Sequence, residues 1–519
     1  MSALQTLLKK SQNRLAIANN CNLPTNYNTG ANWVQNCWTR HHSGAAGYTA
    51  IEATFINGLI STNSEQNAYY DFVLRAGIYV NGQFTQLLFN GANETTVAKE
   101  WGLAIGKASV YIPPNTDFYI TNRRVAMDAG AAGSYKVITT TGGTTFRQDG
   151  IISGTDASKD YTLGVGVAYG ARAGTPVVNG SGVITSIPID SANRGTGYAS
   201  GLNLYMWYGA AGVGQPAAIY TGSGVSGYGN QTGGQLSSIT VSAGGTGHTT
   251  GAPPLAFVGG AGNANNGFGS ITATYGPSLI TGIARRRIPS VLLIGDSIAS
   301  GFGSVDTLGD LTASFGVYEQ AIVNRIGAGV HKLAVTGESA TGWDTTKTQQ
   351  LNFMDAQIQR GMRPSHVVIA LGVNDFLVNN NSDVISSVQS HISAIASLWR
   401  ARGAKIILTT VTPSNSTSSG SNKFTTLAEQ SPTLVSGSAA NFQAGGRVEQ
   451  YNSALLAGAI ANDGIIDISA YCRDSTTSSR WRVDTYGGVT AFCASDGIHP
   501  SVGVGIPYLV ANMALPNFG

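Results

Sequence analysis

The chain has 519 residues, a formal net charge of +3 and only 11% charged residues. That length predicts two to four domains, and the weak charge excludes a strong field directed at nucleic acid or an acidic membrane surface. Glycine occurs 68 times and 42% of the residues are hydrophobic, a composition that excludes general disorder and favours turn-rich β structure. No apolar run approaches the roughly 18 residues of a membrane-spanning helix, so no membrane insertion is predicted.

The N-terminal half is predicted to be mostly strands and turns. Residues 1–45 have apolar positions at helical spacing and are predicted to be a helical and loop lead-in, without the apolar core of a standard secretory signal. After them, DFVLRAGIYVNGQFTQLLFNG alternates apolar and polar residues around Asn-Gly, which is typical of a β-hairpin. Residues 46–174 are therefore predicted to form an antiparallel β-sandwich.

An internal repeat follows the predicted sandwich. GVITSIPIDSANRGTGY at 182–198 matches GQLSSITVSAGGTGH at 234–248, with Gly-Thr-Gly elements beginning at Gly195 and Gly245. Residues 175–274 are thus predicted to be a small duplicated β module. A spacer is favoured over a sugar-binding site, and repeats of this type resemble those of phage tail and other virion proteins.

The four cysteines leave two alternatives open. If they are oxidised, local pairing of Cys21 with Cys37 and of Cys472 with Cys493 is favoured; without a signal peptide, four reduced cysteines are an equal alternative. No Cys or His spacing indicates a zinc site, so no metal is predicted.

From residue 285 onward, apolar strands alternate with helices, which predicts a parallel sheet with right-handed crossovers. The strand candidates are Val291–Ile294, Leu333–Val335, Val367–Leu371, Ile406–Val411 and Ile465–Ile468. Between the third and fourth, SDVISSVQSHISAIASLWRARG places its apolar residues on one helical face, with Ser382 and Asp383 as caps and Gly403 as the stop.

Polar residues follow these strands. Gly295-Asp296-Ser297 ends the first strand, Gly337 lies past the second, and Asn374 and Asp375 lie past the third. The last loop carries Asp496 and His499. Because ligands bind at the carboxyl ends of strands in open parallel sheets, one crevice is expected to collect them.

The residue types fit acyl transfer. A serine hydroxyl needs a base, and histidine ordinarily titrates near neutrality, so Ser297 is a candidate nucleophile and His499 its base. Asp496, three residues away, can orient the imidazole, and Asp375 is a rival for that role. The alternative is that Ser297 is only a helix cap, but a cap would not need the glycine, asparagine, aspartate and histidine motifs that follow the other strands.

An ester substrate also needs hydrogen-bond donors aimed at the developing oxyanion. Three candidates for this oxyanion hole are the Ser297 N–H, the Gly337 N–H and the Asn374 side-chain amide. Gly337 has no side chain, so its backbone can approach a substrate closely.

Residues 291–519 resemble the SGNH/GDSL hydrolase superfamily, which is named for its Ser, Gly, Asn and His. The matching blocks occur in family order: Gly295-Asp296-Ser297, Gly337, Gly372-Val373-Asn374-Asp375 and Asp496-Gly497-Ile498-His499-Pro500. The resemblance implies a flavodoxin-like three-layer α/β/α domain over 285–519 with a five-stranded parallel sheet. It also implies Ser297, Asp496 and His499 as triad, Ser297, Gly337 and Asn374 as oxyanion hole, and a structural role for Asp375. Glu338 stands where the family usually has Asp.

The N-terminal half resembles, more loosely, the β-sandwich that precedes SGNH domains in some bacterial and phage proteins. This resemblance implies a jelly-roll-like sandwich with a closing strand near 275–284. The duplicated module at 175–274 is then an insertion before that last strand.

These observations predict a serine esterase, foremost an O-acetyl esterase acting on acetylated polysaccharide, without a cofactor. Trp481 and Tyr486 are candidate sugar-stacking residues, with packing inside the protein as an equal alternative, and the Ser414–Gly446 insert is expected to border the site. A lipase or thioesterase acting on acyl lipids is one alternative. Another is a virion adhesin that uses the SGNH domain as a platform. The expected partners are the ester substrate and other virion proteins or further copies of this chain, with no nucleic acid. The expected location is a phage particle, otherwise the cytoplasm.

Overall fold

The computed structural model describes residues 14–17, 23–24, 26–30, 34–61, 64–81, 83–127, 135–139, 153–154, 169–173, 176–196, 202–207, 223–232, 235–246, 255–259, 275–301, 316–417, 424–432, 439–475, 479–484, 492–494, 496–501 and 504–519. None of the helices formed by these residues combines the length and the apolar character that crossing a bilayer requires.

Antiparallel strands account for the described secondary structure of the N-terminal half. They are β1 (Arg14–Ala16), β2 (Asn26–Gly30), β3 (Val34–His42), β4 (Tyr48–Ser61), β5 (Ser64–Asn67), β6 (Phe72–Val80), β7 (Gln83–Gln86), β8 (Glu94–Val97), β9 (Gly102–Ala108), β10 (Asp117–Ala126), β11 (Tyr135–Thr139), β12 (Ser153–Gly154), β13 (Tyr169–Ala173), β14 (Val177–Val178), β15 (Ile184–Ser186), β16 (Ile189–Thr196), β17 (Leu202–Trp207), β18 (Ser223–Thr232), β19 (Gln235–Thr246), β20 (Leu255–Gly259) and β21 (Leu279–Ala284).

Two sheets form the β-sandwich. One has the strand order β1-β21-β4-β5 with β9 also paired to β4, and the other has the order β12-β3-β10-β6-β7 with β8 paired to β6. Apolar side chains from both sheets form one buried cluster, which includes Ile51, Phe55, Leu74, Ile78, Phe118 and Ile280. Burying each such side chain contributes about 1.5–3 kcal/mol, so this shared face holds the two sheets together. The prediction of an all-β N-terminal region is confirmed.

The helical lead-in predicted for residues 1–45 is wrong where the structure describes it. β1, β2 and β3 lie there, and β3 pairs with β10 along its whole length, from His42 opposite Asp117 to Val34 opposite Val125. The short helical spacing of apolar residues is outweighed by this distant partner, because pairing in a sheet satisfies the backbone hydrogen bonds of the entire strand.

The region predicted as an insertion, residues 175–274, precedes the last strand of the sandwich in the sequence. After it, β21 enters the sandwich between β1 and β4. The two copies of the repeat contact each other: a Cβ on Gly244 of the second copy would lie 2.1 Å from the Ile184 carbonyl oxygen of the first. Ile184 and Ile187 pack there against Ile239 and Val241, so the copies share a small apolar core.

The C-terminal domain is built on a five-stranded parallel sheet in the order β23-β22-β24-β25-β28. Its strands are β22 (Ser290–Gly295), β23 (Gly329–Ala334), β24 (His366–Ala370), β25 (Lys405–Thr409) and β28 (Gly464–Ile466), while β26 (Ser416–Thr417) and β27 (Gln430–Ser431) pair separately. The sheet confirms the fold predicted for this half.

Helices flank the sheet. They are α1 (Ser297–Ser300), α2 (Val317–Ile326), α3 (Ala340–Thr346), α4 (Thr348–Gln359), α5 (Val373–Val378), α6 (Val384–Arg400), α7 (Ala439–Phe442), α8 (Arg447–Leu456), α9 (Ile468–Cys472) and α10 (Gly505–Asn512). The helix α6 lies where its apolar periodicity placed it, and it buries Val388, Ile392 and Trp399 against the sheet.

The sandwich and the C-terminal domain share an apolar core. Ile56, Ile60 and Leu279 of the sandwich belong to the same buried cluster as Val291 and Val330 of the parallel sheet. The backbones also approach closely, since a Cβ on Gly329 would lie 1.9 Å from the Ala16 carbonyl oxygen. The two parts are therefore packed as one body at this junction.

Candidate active site

Ser297 is the first residue of a short helix at the end of β22, the second strand of the parallel sheet. The Asp296 side chain accepts a hydrogen bond from the Ile298 N–H at 2.9 Å, which caps α1, and Gly301 ends the helix at φ +85°. Ser297 is only 4% exposed. Its hydroxyl thus stands at the edge of the sheet where the strand stops, held by a capped helix start.

A continuous hydrogen-bonded chain joins Ser297, His499 and Asp496. The Ser297 Oγ lies 2.7 Å from His499 Nε2, and His499 Nδ1 lies 2.6 Å from Asp496 Oδ2. The other carboxylate oxygen of Asp496 accepts from the backbone N–H groups of Ile498 and His499, at 2.9 and 3.0 Å. With Nδ1–H donating to Asp496, Nε2 is the nitrogen left to accept the serine proton.

The pKa of Asp496 is lowered in the folded protein. Burial acts to raise it, but the hydrogen bond and charge of His499 and the two backbone N–H donors outweigh burial. The carboxylate therefore stays ionised beside the imidazole, which fixes the tautomer and stabilises a protonated histidine.

The two other carboxyl groups near the site have different partners. Asp375 accepts from the N–H groups of Ala340 and Thr341 and from the Thr341 hydroxyl, so it caps α3 and does not hold His499. Burial raises the pKa of Asp296 to about 7, against the opposing hydrogen bond from Ile298. Asp496 is thus the carboxylate that orients the histidine.

The predicted oxyanion donors follow the two strands that flank β22. In register, Gly295 lies opposite Ala334 of β23 and Ala370 of β24, so the three strands end side by side. Gly337 has φ +80°, and the Asn374 side-chain amide donates to the Glu338 carbonyl at 2.8 Å. Asn374 is therefore hydrogen-bonded to the residue that follows Gly337, and both residues lie just past the strands that flank the serine's own strand.

The turn that contains Gly497 and His499 is hydrogen-bonded to residues from other segments of the domain. The Gly497 carbonyl accepts from the Asn415 N–H at 2.9 Å and from the Trp481 indole N–H at 3.1 Å. Gln430 in turn binds both backbone groups of Trp481, at 2.7 and 2.8 Å. Sequence reasoning did not find Asn415 or Gln430, because no local pattern marks a side chain that supports a distant turn.

The sugar-stacking role predicted for Trp481 does not hold in the structure. Trp481 is 1% exposed, so its ring faces the core and presents no surface to a ligand. Tyr486 lies outside the described residues. The indole instead reaches the Gly497 carbonyl, which is the usual behaviour of a buried tryptophan N–H.

The cysteines in the described part of the chain form no disulfide. Cys37, Cys472 and Cys493 are buried thiols, whereas Cys21 lies outside the described residues. The pairing of Cys472 with Cys493 is thus absent here and the reduced alternative applies to them. Burial raises the pKa of both thiols, so they behave as apolar core residues.

A serine, a histidine and an ionised carboxylate are joined here by hydrogen bonds at the carboxyl ends of parallel strands. This arrangement defines a site of the serine-hydrolase class. Residues 293–502 match the model of the GDSL-like Lipase/Acylhydrolase family, and this domain of the protein is a member of it. No curated protein sequence matches the chain.

Several solved structures are similar to part of the chain. The acetylxylan esterase Axe2 from Geobacillus stearothermophilus is 17% identical, over 44% of this chain and 94% of its own, with a TM-score of 0.26. The psychrotrophic esterase EstA from a Pseudoalteromonas species is 16% identical, over 43% and 92%, with a TM-score of 0.25. A GDSL-like lipase from Bacteroides thetaiotaomicron is 19% identical, over 43% and 83%, with a TM-score of 0.24. Likeness at this level carries no information on substrate.

Gly497→Ala is expected to disable the site. Gly497 has φ +77°, and a Cβ there would lie 1.7 Å from the Asn415 carbonyl oxygen. The turn must shift to relieve this contact, and misplacing a catalytic group by about 1 Å costs about 100-fold in rate. The rate at which a fluorophosphonate labels Ser297 measures the loss.

Gly458→Ala is the matched control. Gly458 has a similar φ of +88°, but nothing lies within 4 Å of an added Cβ. It is expected to show backbone strain in an unfolding experiment and wild-type labelling of Ser297. Wild-type labelling of the Gly497→Ala protein would contradict the importance of this turn.

Proposed function

We propose that this protein is a serine esterase that removes O-acetyl groups from acetylated polysaccharide, with Ser297 as its nucleophile. The observation that carries the esterase proposal is the chain from Ser297 Oγ through His499 to Asp496, with links of 2.7 and 2.6 Å. Both links are short enough for proton transfer without rearrangement.

The proposed reaction has two half-reactions. Ser297 Oγ attacks the ester carbonyl carbon while its proton passes to His499 Nε2, and the oxyanion accepts from the N–H groups of Ser297 and Gly337 and from the Asn374 amide. The carbon–oxygen bond then breaks, and His499 returns the proton to the departing alkoxide. Water attacks the acyl-serine by the same route, releasing the carboxylic acid and restoring Ser297.

The acetyl preference is supported by the surface of the domain. Among the described residues from 285 to 519, the exposed large apolar side chains are Val378 and Leu456. A long acyl chain needs a contiguous apolar surface, as extended apolar ligands generally do. Two separate side chains do not supply one, which favours a small acyl group.

The proposed setting is a phage particle that acts on acetylated host glycan. It is supported by the duplicated glycine-rich module, whose two copies pack together. Electron microscopy of the purified protein tests it. Ordered assemblies are the expected result, and a free monomer under all conditions would count against a particle.

The esterase proposal is tested with p-nitrophenyl esters from acetate to dodecanoate, using the wild type and Ser297→Ala. The acetate is expected to be cleaved fastest, and the variant is expected at the uncatalysed background. Release of acetate from acetylated bacterial polysaccharide then tests the substrate. A long-chain optimum would move the substrate to acyl lipids, and equal rates for both proteins would refute the role of Ser297.

A further inference from the structure

The helix α4 is held to the β-sandwich at both ends by carboxylates. The Glu65 side chain of β5 accepts from the N–H groups of Gln349 and Gln350 in the first turn, at 2.6 and 2.8 Å. At the other end, Glu52 of β4 binds Arg360 at 2.8 Å. A carboxylate at a helix start satisfies N–H groups that have no partner within the helix, so Glu65 fixes where α4 begins.

Lys347, the residue immediately before α4, connects the start of this helix to the core of the C-terminal domain. Lys347 is fully buried, and its Nζ lies 2.6 Å from Glu338 Oε2, which is also fully buried. Burial raises the pKa of Glu65, against the opposing N–H groups of Gln349 and Gln350 and, least, the charge of Lys347. The contacts thus run in a row from Glu65 in the sandwich, through the start of α4 and Lys347, to Glu338 in the core.

Glu338 links that row to the oxyanion donors. It directly follows Gly337, and its carbonyl oxygen accepts the Asn374 amide at 2.8 Å. The side chain of Glu338 is fixed by Lys347 and its backbone by Asn374. A displacement of Lys347 therefore moves both the Gly337 N–H and the partner of Asn374.

We propose that Glu65 of the β-sandwich is a positioning residue for the oxyanion hole of the other domain, acting through Lys347 and Glu338. The inference rests on the proposed esterase function for its kinetic consequence, and on the contacts alone for its structural one. It gives the sandwich a role in the reaction itself, separate from any binding of substrate.

Glu65→Gln is the test. A neutral amide offers one acceptor oxygen for two N–H groups and no charge opposite Lys347. The expected result is a fall in kcat for p-nitrophenyl acetate of about tenfold, smaller than the 10²–10³ for losing a whole donor, because the donors are displaced and not removed. KM is expected to change little, since these donors act mainly in the transition state. Glu65→Asp, which keeps the charge, is expected to recover part of kcat.

Glu52→Gln is the matched control, because it removes a charge from the same sandwich at the opposite end of α4. It is expected to lower stability, because the buried Glu52 carboxylate faces Arg14, Lys107 and Arg360. The kcat of the folded enzyme is expected to stay within about twofold of the wild type, because Arg360 lies at the end of α4 that is remote from Lys347 and Glu338. An equal loss of kcat in both variants would overturn the proposal, and so would unchanged kcat in Glu65→Gln.

Hydrogen exchange separates this inference from the esterase proposal. In Glu65→Gln, amides of residues 337–350 are expected to exchange faster than in the wild type, while those of 496–501 are unchanged. If the wild type hydrolyses no ester, the esterase proposal fails and this exchange pattern still decides the link. Unchanged exchange at 337–350 overturns the link whatever the activity, and Glu65→Asp provides the same measurement if Glu65→Gln does not fold.

Discussion

Asp496→Asn is expected to lower kcat for ester hydrolysis by about 10⁴-fold, the effect of exchanging a triad carboxylate for an amide. The single oxygen of the introduced amide can still accept from the Ile498 and His499 N–H groups, as Asp496 Oδ1 does, so the turn is kept. The amide NH₂ then faces His499 Nδ1. The imidazole must carry its proton on Nε2, where it can no longer accept the proton of Ser297.

Steady-state kinetics with p-nitrophenyl acetate measure this loss, with Asp355→Asn as control. Asp355 Oδ2 lies 2.8 Å from Arg402 Nη2 in a surface ion pair away from Ser297. The replacement of Asp355 is therefore expected to leave kcat unchanged. Because the pKa of Asp496 is lowered on folding, its ionised form stabilises the wild type above the ordinary carboxyl pKa. That contribution is lost as the pH falls through the lowered pKa. Wild-type kcat in Asp496→Asn would assign the carboxylate role elsewhere.

Lys347→Met is expected to lower the free energy of unfolding by about 3–5 kcal/mol, because it leaves the Glu338 carboxylate buried without its counter-charge. Both side chains of this pair are fully buried, and Lys347 Nζ lies 2.6 Å from Glu338 Oε2. Removing both charges leaves no such penalty. The double variant Glu338→Gln, Lys347→Met is therefore expected to recover most of the loss in urea unfolding.

A second buried pair in the same domain provides the comparison. Lys332 Nζ lies 2.7 Å from Glu319 Oε2, with both side chains at most 2% exposed. Lys332→Met is expected to cost a similar amount of stability. Only Lys347→Met is expected also to lower the kcat of the folded enzyme, because Glu338 adjoins Gly337. If both variants lowered kcat equally, loss of stability alone would explain the effect.

Sequence patterns predicted the C-terminal half well because its signals are local. Four apolar residues before Gly295 predict a buried strand, and a one-sided apolar face predicts α6. Residues that follow the strands of a parallel sheet meet at one edge, so Ser297, Asn374 and His499 could be assigned to one crevice before any coordinates. The structure brings Ser297, His499 and Asp496 within hydrogen-bonding distance there.

Other features depend on partners that are far away in sequence. The strand β3 exists because β10, some 80 positions later in the register, pairs with it, and the short apolar spacing before it indicated a helix. The sequence left open whether Trp481 stacks on a sugar or packs inside the protein, and the Gly497 carbonyl and Gln430 hold it in the core. A local pattern contains neither partner.

The sequence by itself determined the strand–helix alternation of the C-terminal domain, the family of that domain and the residues of its candidate site, because periodicity and short motifs are set by neighbours along the chain. Tertiary structure alone decided that Asp375 caps α3, that Trp481 supports the turn of His499 from the core, and that Glu65 of the sandwich reaches α4. These choices depend on distances between segments remote in sequence, and such distances exist only once the two domains have packed on their shared core.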